Sequence, residues 1–134
     1  MPDFQYDLMK ARLQTARENL ETAEELLEQG KYRISISRCY YADFASVRAI
    51  LALDNKDFSK HSAVIAYFQR QYIKSGIFPK KFSKYLDNAF RARSLADYDD
   101  LYEFEEAKVR EEYAHALELH EAVVAYIEAR LGRL

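Results

Sequence analysis

Residues 6–27 read YDLMKARLQTARENLETAEELL, and this stretch decides the fold class. Its apolar positions recur at alternating three- and four-residue steps: Tyr6, Met9, Leu13, Ala16, Leu20, Ala23 and Leu27. This spacing places them in one stripe along a long α-helix, and such a stripe must be buried against other helices. Because leucine alternates with alanine, a neighbouring helix can approach closely. We expect this first helix to begin near Asp3 and to end at Gly30.

The second and third helices follow from the next change in pattern. Residues 32–53 are apolar on nearly all sides, which is typical of a central helix. A polar break at residues 55–57 ends this pattern. We expect a third helix over about residues 60–74, with Ser59 as its cap.

The last two helices complete the expected fold. Pro79 suits the first turn of a fourth helix, which should fray at residues 97–100. Its apolar side is predicted to hold Phe82, Tyr85, Leu86, Ala89 and Phe90. A fifth helix is expected over residues 103–130, with acidic residues in its first turns, where they favour the helix dipole. Its predicted seam is Tyr113, Leu117, His120, Val124, Ile127 and Leu131.

Together these segments predict an all-α, up-and-down bundle of about five helices, formed as a single domain over residues 1–134. The composition agrees: 49% of the residues are apolar and 31% are charged, as in globular proteins, and three Gly and two Pro leave few turns for strands. A lone Cys39 cannot form an internal disulfide and is expected to be buried. Since no stretch has membrane-spanning length and no signal peptide is visible, we expect a cytoplasmic protein without membrane contact.

The charge is distributed unevenly along the chain. Residues 55–93 hold nine basic side chains and two acidic ones, whereas residues 94–129 hold eleven acidic and two basic ones. The two halves can complement each other within the fold, or the basic half can form a local face for RNA or nucleotide phosphates. The net charge of −2 argues against indiscriminate binding of nucleic acid.

The three histidines differ in what they suggest. His61 follows Lys60 at an expected helix start, where backbone N–H groups gather, so it can help to bind a phosphate or can simply pack locally. His115 and His120 are five residues apart, which is not the spacing that brings two imidazoles to one metal ion. We therefore expect no metal site and no cofactor.

The chain is rich in aromatic residues, with eleven Tyr and eight Phe. Most are expected in the core, although any that line a groove can stack on nucleobases. The residues in question are Tyr40, Tyr41, Tyr67, Phe68, Tyr72, Phe78, Phe82, Tyr85 and Phe90.

Three motifs in this order carry a family resemblance. Residues 38–42 read RCYYA, residues 60–64 read KHSAV, and residues 89–98 read AFRARSLADY. Each motif is weak alone, but together they resemble the motifs of the HEPN family, small helical proteins found in prokaryotic toxin–antitoxin and defence systems.

The resemblance implies RNA-cleaving chemistry, but one residue of this chain departs from the pattern that this chemistry needs. Catalytic HEPN proteins carry an arginine followed, after four to six residues, by a histidine, and two copies meet in a dimer that cuts RNA without metal. Arg93 occupies the arginine position, but Tyr98 stands where the histidine would be. Because a phenol has a pKa near 10, it is a poor general base at neutral pH. Arg110 and His115 also satisfy the string, but they lie in mid-helix and we interpret that match as coincidence.

Three hypotheses for function follow from the resemblance. The first is a homodimeric binding module with weak or no catalysis, acting with a minimal nucleotidyltransferase in a toxin–antitoxin-like or nucleotide-binding role. Its candidate binding residues are Arg38, Tyr41, Lys60, His61, Arg91, Arg93, Asp97 and Tyr98. The second is an RNA-cleaving toxin with a composite site, for which the candidates are Arg93, Tyr98 and His61, or His115 from across a dimer. The third is a purely structural helical interaction protein. The missing histidine makes enzymatic activity the less favoured alternative.

Overall fold

Five α-helices form the framework of residues 3–132, the part of the chain that this computed structural model describes. They are α1 (Asp3–Glu28), α2 (Tyr32–Leu53), α3 (His61–Phe68), α4 (Lys81–Tyr98) and α5 (Glu106–Leu131). These residues contain no β-strand, so the predicted all-α helical bundle is confirmed. None of the described helices combines the length and the apolar character needed to span a membrane.

Helices α1 and α2 form an antiparallel pair. Side-chain bonds link Gln5 to the Ala52 carbonyl, Arg12 to the Arg48 carbonyl and Ser35 to the Ala23 carbonyl, so residue numbers fall along α2 as they rise along α1. The predicted stripe of α1 is buried from Met9 to Leu27. The reversal occurs at Gly30, whose φ of +74° is readily adopted by glycine.

Helix α2 is the central helix of the bundle, as predicted. Fifteen of its residues are buried, including the polar side chains of Ser35, Asp43 and Ser46. Its other neighbours are α3, α4 and α5, which surround it on the sides that α1 leaves open. Side chains of α2 at the solvent-facing edges of the bundle can therefore contact α3, α4 and α5 as well as α1.

The third helix differs from the prediction in two ways. Lys60, and not Ser59, is its N-cap residue, and no side chain caps it. Beyond Phe68 the backbone widens into one π-helical turn over Gln69–Ile73, in which the Lys74 amide donates to the Gln69 carbonyl at 2.8 Å. This wider turn buries both Tyr72 and Ile73, and the Tyr72 hydroxyl donates to Asp54.

The buried face of α5 is rotated relative to its predicted seam. The residues buried there are Val109, Glu112, Ala116, Leu119, His120, Val123 and Ile127. Tyr113, Leu117, Val124 and Leu131 of the predicted seam are only half-buried. Helix α5 packs against α1, α2 and α4, so its buried face is broad and includes the charged Glu112.

Phe90 on α4 also departs from expectation. The fourth helix buries Phe82, Leu86 and Ala89, but 48% of the Phe90 surface is exposed. An aromatic ring on the predicted core side therefore borders solvent near the N-terminus of α3.

Candidate functional site

Arg93 on α4 is held at the centre of an aromatic cluster. Its guanidinium lies 4.9 Å from the ring centre of Tyr40, 5.9 Å from that of Tyr41 and 5.8 Å from that of Phe90. It also forms an ion pair with Asp97 at 3.2 Å. Only 17% of the Arg93 side chain is exposed, so its positive charge is fixed in place by π-faces and one carboxylate.

Tyr40 connects Arg93 to His61. The Tyr40 hydroxyl lies 2.9 Å from Nδ1 of His61, and the imidazole stacks on Phe44 with 3.9 Å between ring centres. Helix α4 thus supplies the cation, α2 the bridging phenol and α3 the imidazole. The structure brings together a histidine and Arg93 that are far apart in sequence, with a tyrosine between them.

The surroundings of His61 favour its neutral form. Burial lowers the pKa of His61 below its usual 6.5, and the positive charges of Arg93 and Arg48 lower it further. Burial, as the main cause, raises the pKa of Tyr40, which keeps the phenol protonated. A neutral phenol can accept a hydrogen bond from Nδ1–H, and Nε2 of His61 is then free to accept a proton.

A basic groove adjoins this cluster on the α1 side. We define the arginine groove by Arg12, Arg38 and Arg48, which line a cavity of about 440 Å³ together with Tyr41, Phe44 and His61. Burial and the neighbouring charge of Arg48 lower the pKa of Arg12. Arg38 stacks on Tyr41 at 5.3 Å and donates to Asn19 at 3.2 Å.

The acidic partner of the arginine groove is exposed. Asp57, in the segment between α2 and α3, lies 3.3 Å from Arg48 and 3.9 Å from Arg12, and 66% of its side chain is exposed. Such an exposed ion pair is weak and can exchange with another anion. The geometry therefore suits a phosphate in this groove.

The candidate residues from the sequence fall into two groups. Arg38, Tyr41, His61, Arg93 and Asp97 are brought together by the contacts described above.

The other candidates lie outside this set of contacts. Tyr98 is 82% exposed at the end of α4, and Lys60 is exposed next to His61. Arg91 is exposed and forms an ion pair with Asp87 at 3.2 Å.

Sequence reasoning did not nominate Tyr40, Phe44, Arg12 or Arg48 for the site. Tyr40 stands inside the RCYYA motif, and this was the available signal for it. Arg12 and Arg48 look like ordinary polar-face residues of two helices, and only the antiparallel pairing of α1 with α2 reveals that they are neighbours.

The remaining histidines lie elsewhere in the bundle. His115 stacks on Tyr85 at 3.8 Å, whereas Arg110 pairs with Glu106 and Glu28, so the Arg110–His115 string does not form one site. His120 is buried and bonded to Ser46 at 3.0 Å. Within residues 3–132, His, Cys, Asp and Glu side chains form no group of three that could hold a metal ion.

Comparison with known proteins gives one family and several relatives. The model of the HEPN domain matches residues 9–130. A "UPF0332 protein" of Thermotoga maritima is 37% identical over 84% of this chain and 86% of its own length. Two proteins of Methanocaldococcus jannaschii, named "Putative toxin MJ0142" and "Putative toxin MJ0605", are each 32% identical, over 65% and 67% of this chain and 59% and 67% of their own lengths.

Proposed function

This chain belongs to the HEPN domain family, and from that premise we propose that it is a homodimeric binding module for RNA or nucleotide phosphates, with weak or no cleavage of its own. Its partner on this proposal is a minimal nucleotidyltransferase, in a system of the toxin–antitoxin type. Two relatives that carry the name "Putative toxin" support the toxin-related part of the proposal.

The observation that carries the proposal is the placement of Arg93 beside the arginine groove. Tyr40, Tyr41 and Phe90 fix the guanidinium of Arg93, and Arg38 contacts the same Tyr41 ring. Held cations of this kind bind phosphate without a large loss of side-chain entropy on binding.

Tyr98 supports the non-catalytic part of the proposal. It is 82% exposed, whereas Arg93 on the same helix is largely covered. Among the described residues, Tyr98 makes no contact with Arg93 of the kind that general-base catalysis beside this cation requires. Its exposure instead suits contact with a partner or modification by one.

Homodimerisation has its own support in an exposed apolar surface. Tyr98 and Leu101 are 82% and 91% exposed, and Ile34 at the start of α2 is 52% exposed. Ile34 and Leu101 line the same surface depression with Tyr102. Covering such side chains in a two-fold interface would bring two Arg93 regions close to each other.

Binding of RNA to purified variants tests the proposal. Arg93→Gln should weaken the binding of a fluorescent RNA, and Arg91→Gln, on the same helix but paired with Asp87, should not. Equal binding by all three proteins would contradict the proposal. Circular dichroism establishes that both variants remain helical.

A second function is favoured by the contact between Tyr40 and His61. In a metal-independent ribonuclease, neutral His61 would take the proton of a 2′-hydroxyl, and the 2′-oxygen would attack the adjacent phosphorus. The bond to the 5′-oxygen would break, the imidazolium would return its proton to that oxygen, and a 2′,3′-cyclic phosphate would remain. Arg93 and Arg48 would stabilise the added negative charge.

Incubation with structured RNA in the presence of a chelator separates the two functions. Cleavage that is lost in both Arg93→Gln and His61→Ala would establish the composite site. Binding without cleavage over a wide range of protein concentration would leave the binding module alone.

A further inference from the structure

A second cavity borders His61 in addition to the arginine groove. We define the aromatic slot by Tyr40, Ile65, Leu86 and Phe90, which line a cavity of about 230 Å³ that His61 also borders. Three helices form its walls: α2, α3 and α4. Its lining is mainly apolar, so it suits an uncharged flat ring better than a phosphate.

The half-exposed Phe90 is explained by this slot. Phe90 lies on the apolar side of α4, yet 48% of its surface is exposed because the slot beside it is empty of protein atoms. Its ring meets that of Tyr40 edge-on at 6.1 Å. Two aromatic rings at an angle form a corner into which a third flat ring can be inserted.

The size of the aromatic slot limits its occupant. A cavity of about 230 Å³ is smaller than the range of about 300–1,000 Å³ that drug-sized ligands occupy. It can hold one ring system, while any phosphates attached to that ring system must lie outside it.

The arginine groove is where those phosphates would lie. His61 borders both cavities, so a ligand with a ring in the aromatic slot has its charged part directed past His61 toward Arg48 and Arg38. Arg93 contacts Tyr40 and Phe90 of the slot and Tyr41 of the groove, so its positive charge lies beside the residues of both cavities. Apolar ring and anion are the two parts of a nucleotide unit.

We infer that the aromatic slot and the arginine groove form one bipartite site for single-stranded RNA, with one unstacked base in the slot and backbone phosphates in the groove. This inference rests on the proposed function and specifies its ligand. Duplex RNA is disfavoured, because its bases are stacked inside the helix and cannot enter a slot. His61 lies at the junction of base and phosphate.

Fluorescence anisotropy with matched probes tests this inference. The probes are a short single-stranded oligoadenylate, an abasic strand with the same number of phosphates, and a hairpin duplex. Wild-type protein should bind oligoadenylate about 5- to 100-fold more tightly than the abasic strand, which is the range expected for one stacked base. It should bind the duplex less tightly than oligoadenylate.

Two variants separate the halves of the site. Phe90→Ala should weaken the binding of oligoadenylate to the level of the abasic strand and leave the abasic strand unaffected. Arg48→Gln should weaken the binding of both strands and reduce the salt dependence of each. Phe4→Ala, which removes a ring that is 74% exposed at the start of α1, and Arg110→Gln, which removes an exposed arginine that pairs with Glu106 on α5, are the matched controls. The conservative variant Phe90→Tyr, which keeps an aromatic ring, should still bind oligoadenylate more tightly than the abasic strand.

The outcomes distinguish this inference from the proposed function. If Phe90→Ala weakens neither strand, or weakens both equally, the bipartite site is refuted while RNA binding stands. Duplex binding as tight as single-strand binding would also refute it. If wild-type protein binds none of the three probes, both the inference and the proposed function fail.

Discussion

The hydroxyl of Tyr40 and Nδ1 of His61 lie 2.9 Å apart, and the guanidinium of Arg93 lies over the ring of the same tyrosine, 4.9 Å from its centre. One tyrosine thus links a fixed cation to an imidazole from another helix. In a chain that lacks a histidine after Arg93 along α4, this contact supplies one from α3. The consequences can be measured separately.

Acidification should strengthen the binding of RNA through His61. Partial burial and the positive charges of Arg93 and Arg48 hold the pKa of His61 below the usual 6.5. The imidazole is therefore neutral at neutral pH and gains its charge only at mildly acidic pH. The affinity for RNA should rise as the pH falls through this lowered pKa, by a few-fold for one added charge. Anisotropy between mildly acidic and neutral pH measures the effect, which should be absent in His61→Gln.

The same shift affects folding in the opposite direction. Because the folded-state pKa of His61 is depressed, its contribution to stability is fully present above the unfolded value near 6.5 and is lost as the pH falls through the folded value. Because RNA should bind more tightly when His61 is charged, it should also raise the melting temperature more at mildly acidic pH than at neutral pH. An unchanged thermal shift between the two conditions would contradict this assignment.

Asp57 should act as a competitor of RNA phosphates. Its carboxylate lies 3.3 Å from Arg48 of the arginine groove, and its 66% exposed side chain makes this ion pair easy to displace. Asp57→Asn should raise the affinity for RNA about 1.4- to 5-fold, which corresponds to the roughly 0.2–1 kcal/mol typical of exposed pairs. Asp100→Asn, with the same change in net charge, is the control. An equal gain in affinity for RNA in both variants would show that net charge alone causes the effect, and it would contradict competition by Asp57.

A buried carboxyl group on α2 should make the fold sensitive to alkali. Asp43 is 2% exposed, and its Oδ1 has no hydrogen-bond partner among the described residues. Burial, with a smaller contribution from the charge of Glu112, raises the pKa of Asp43 well above its usual value. Its contribution to stability is therefore present below the unfolded pKa of about 3.9 and is lost as the pH rises through the folded value.

Asp43→Asn removes this titration. Urea unfolding across mildly acidic to alkaline pH should show a free energy of unfolding that falls with pH in the wild type and falls less in the variant. At alkaline pH the variant should be the more stable of the two proteins, because it holds no carboxyl group that must ionise in the buried site. Parallel pH profiles for the two proteins would show that Asp43 is not the titrating group.

The exposed end of α4 should determine the oligomeric state. Leu101 is 91% exposed beside the exposed Tyr98, and a charge in a two-fold apolar interface is unfavourable. Leu101→Asp should raise the dissociation constant of the dimer about tenfold or more, as for the loss of a strong interface residue. Sedimentation velocity measures this, with Phe4→Asp as the control. A wild-type protein that is monomeric at micromolar concentration would contradict the proposed dimer.

The sequence predicts α1 and its buried stripe well because an unbroken apolar period determines them. Met9 to Leu27 repeat without interruption, and Gly30 marks the reversal. The α5 seam was right at His120 and Ile127 and wrong elsewhere, in part because the buried Glu112 does not carry an apolar signal. The π-helical turn at Gln69–Ile73 has no signal in the amino-acid pattern either. It goes with the burial of Tyr72 by tertiary packing, which the local sequence does not reveal.

The candidate site shows a similar division. Arg93 and His61 can be identified as candidates because each belongs to a short motif. The contact between them cannot be predicted, because Tyr40 bridges them only once α2, α3 and α4 are packed. Arg12 and Arg48 belong to no motif. For Phe90 both the core and stacking in a groove stayed open, since the helical period cannot distinguish a filled pocket from an open one.

The salt dependence of RNA binding in Arg93→Gln tests the central claim most directly. For single-stranded RNA, loss of one phosphate contact should reduce the slope of log affinity against log salt concentration by about 0.7. The account predicts this reduction, with weaker binding, in Arg93→Gln and a slope near that of the wild type in Arg91→Gln. Identical slopes for Arg93→Gln and the wild type would contradict it.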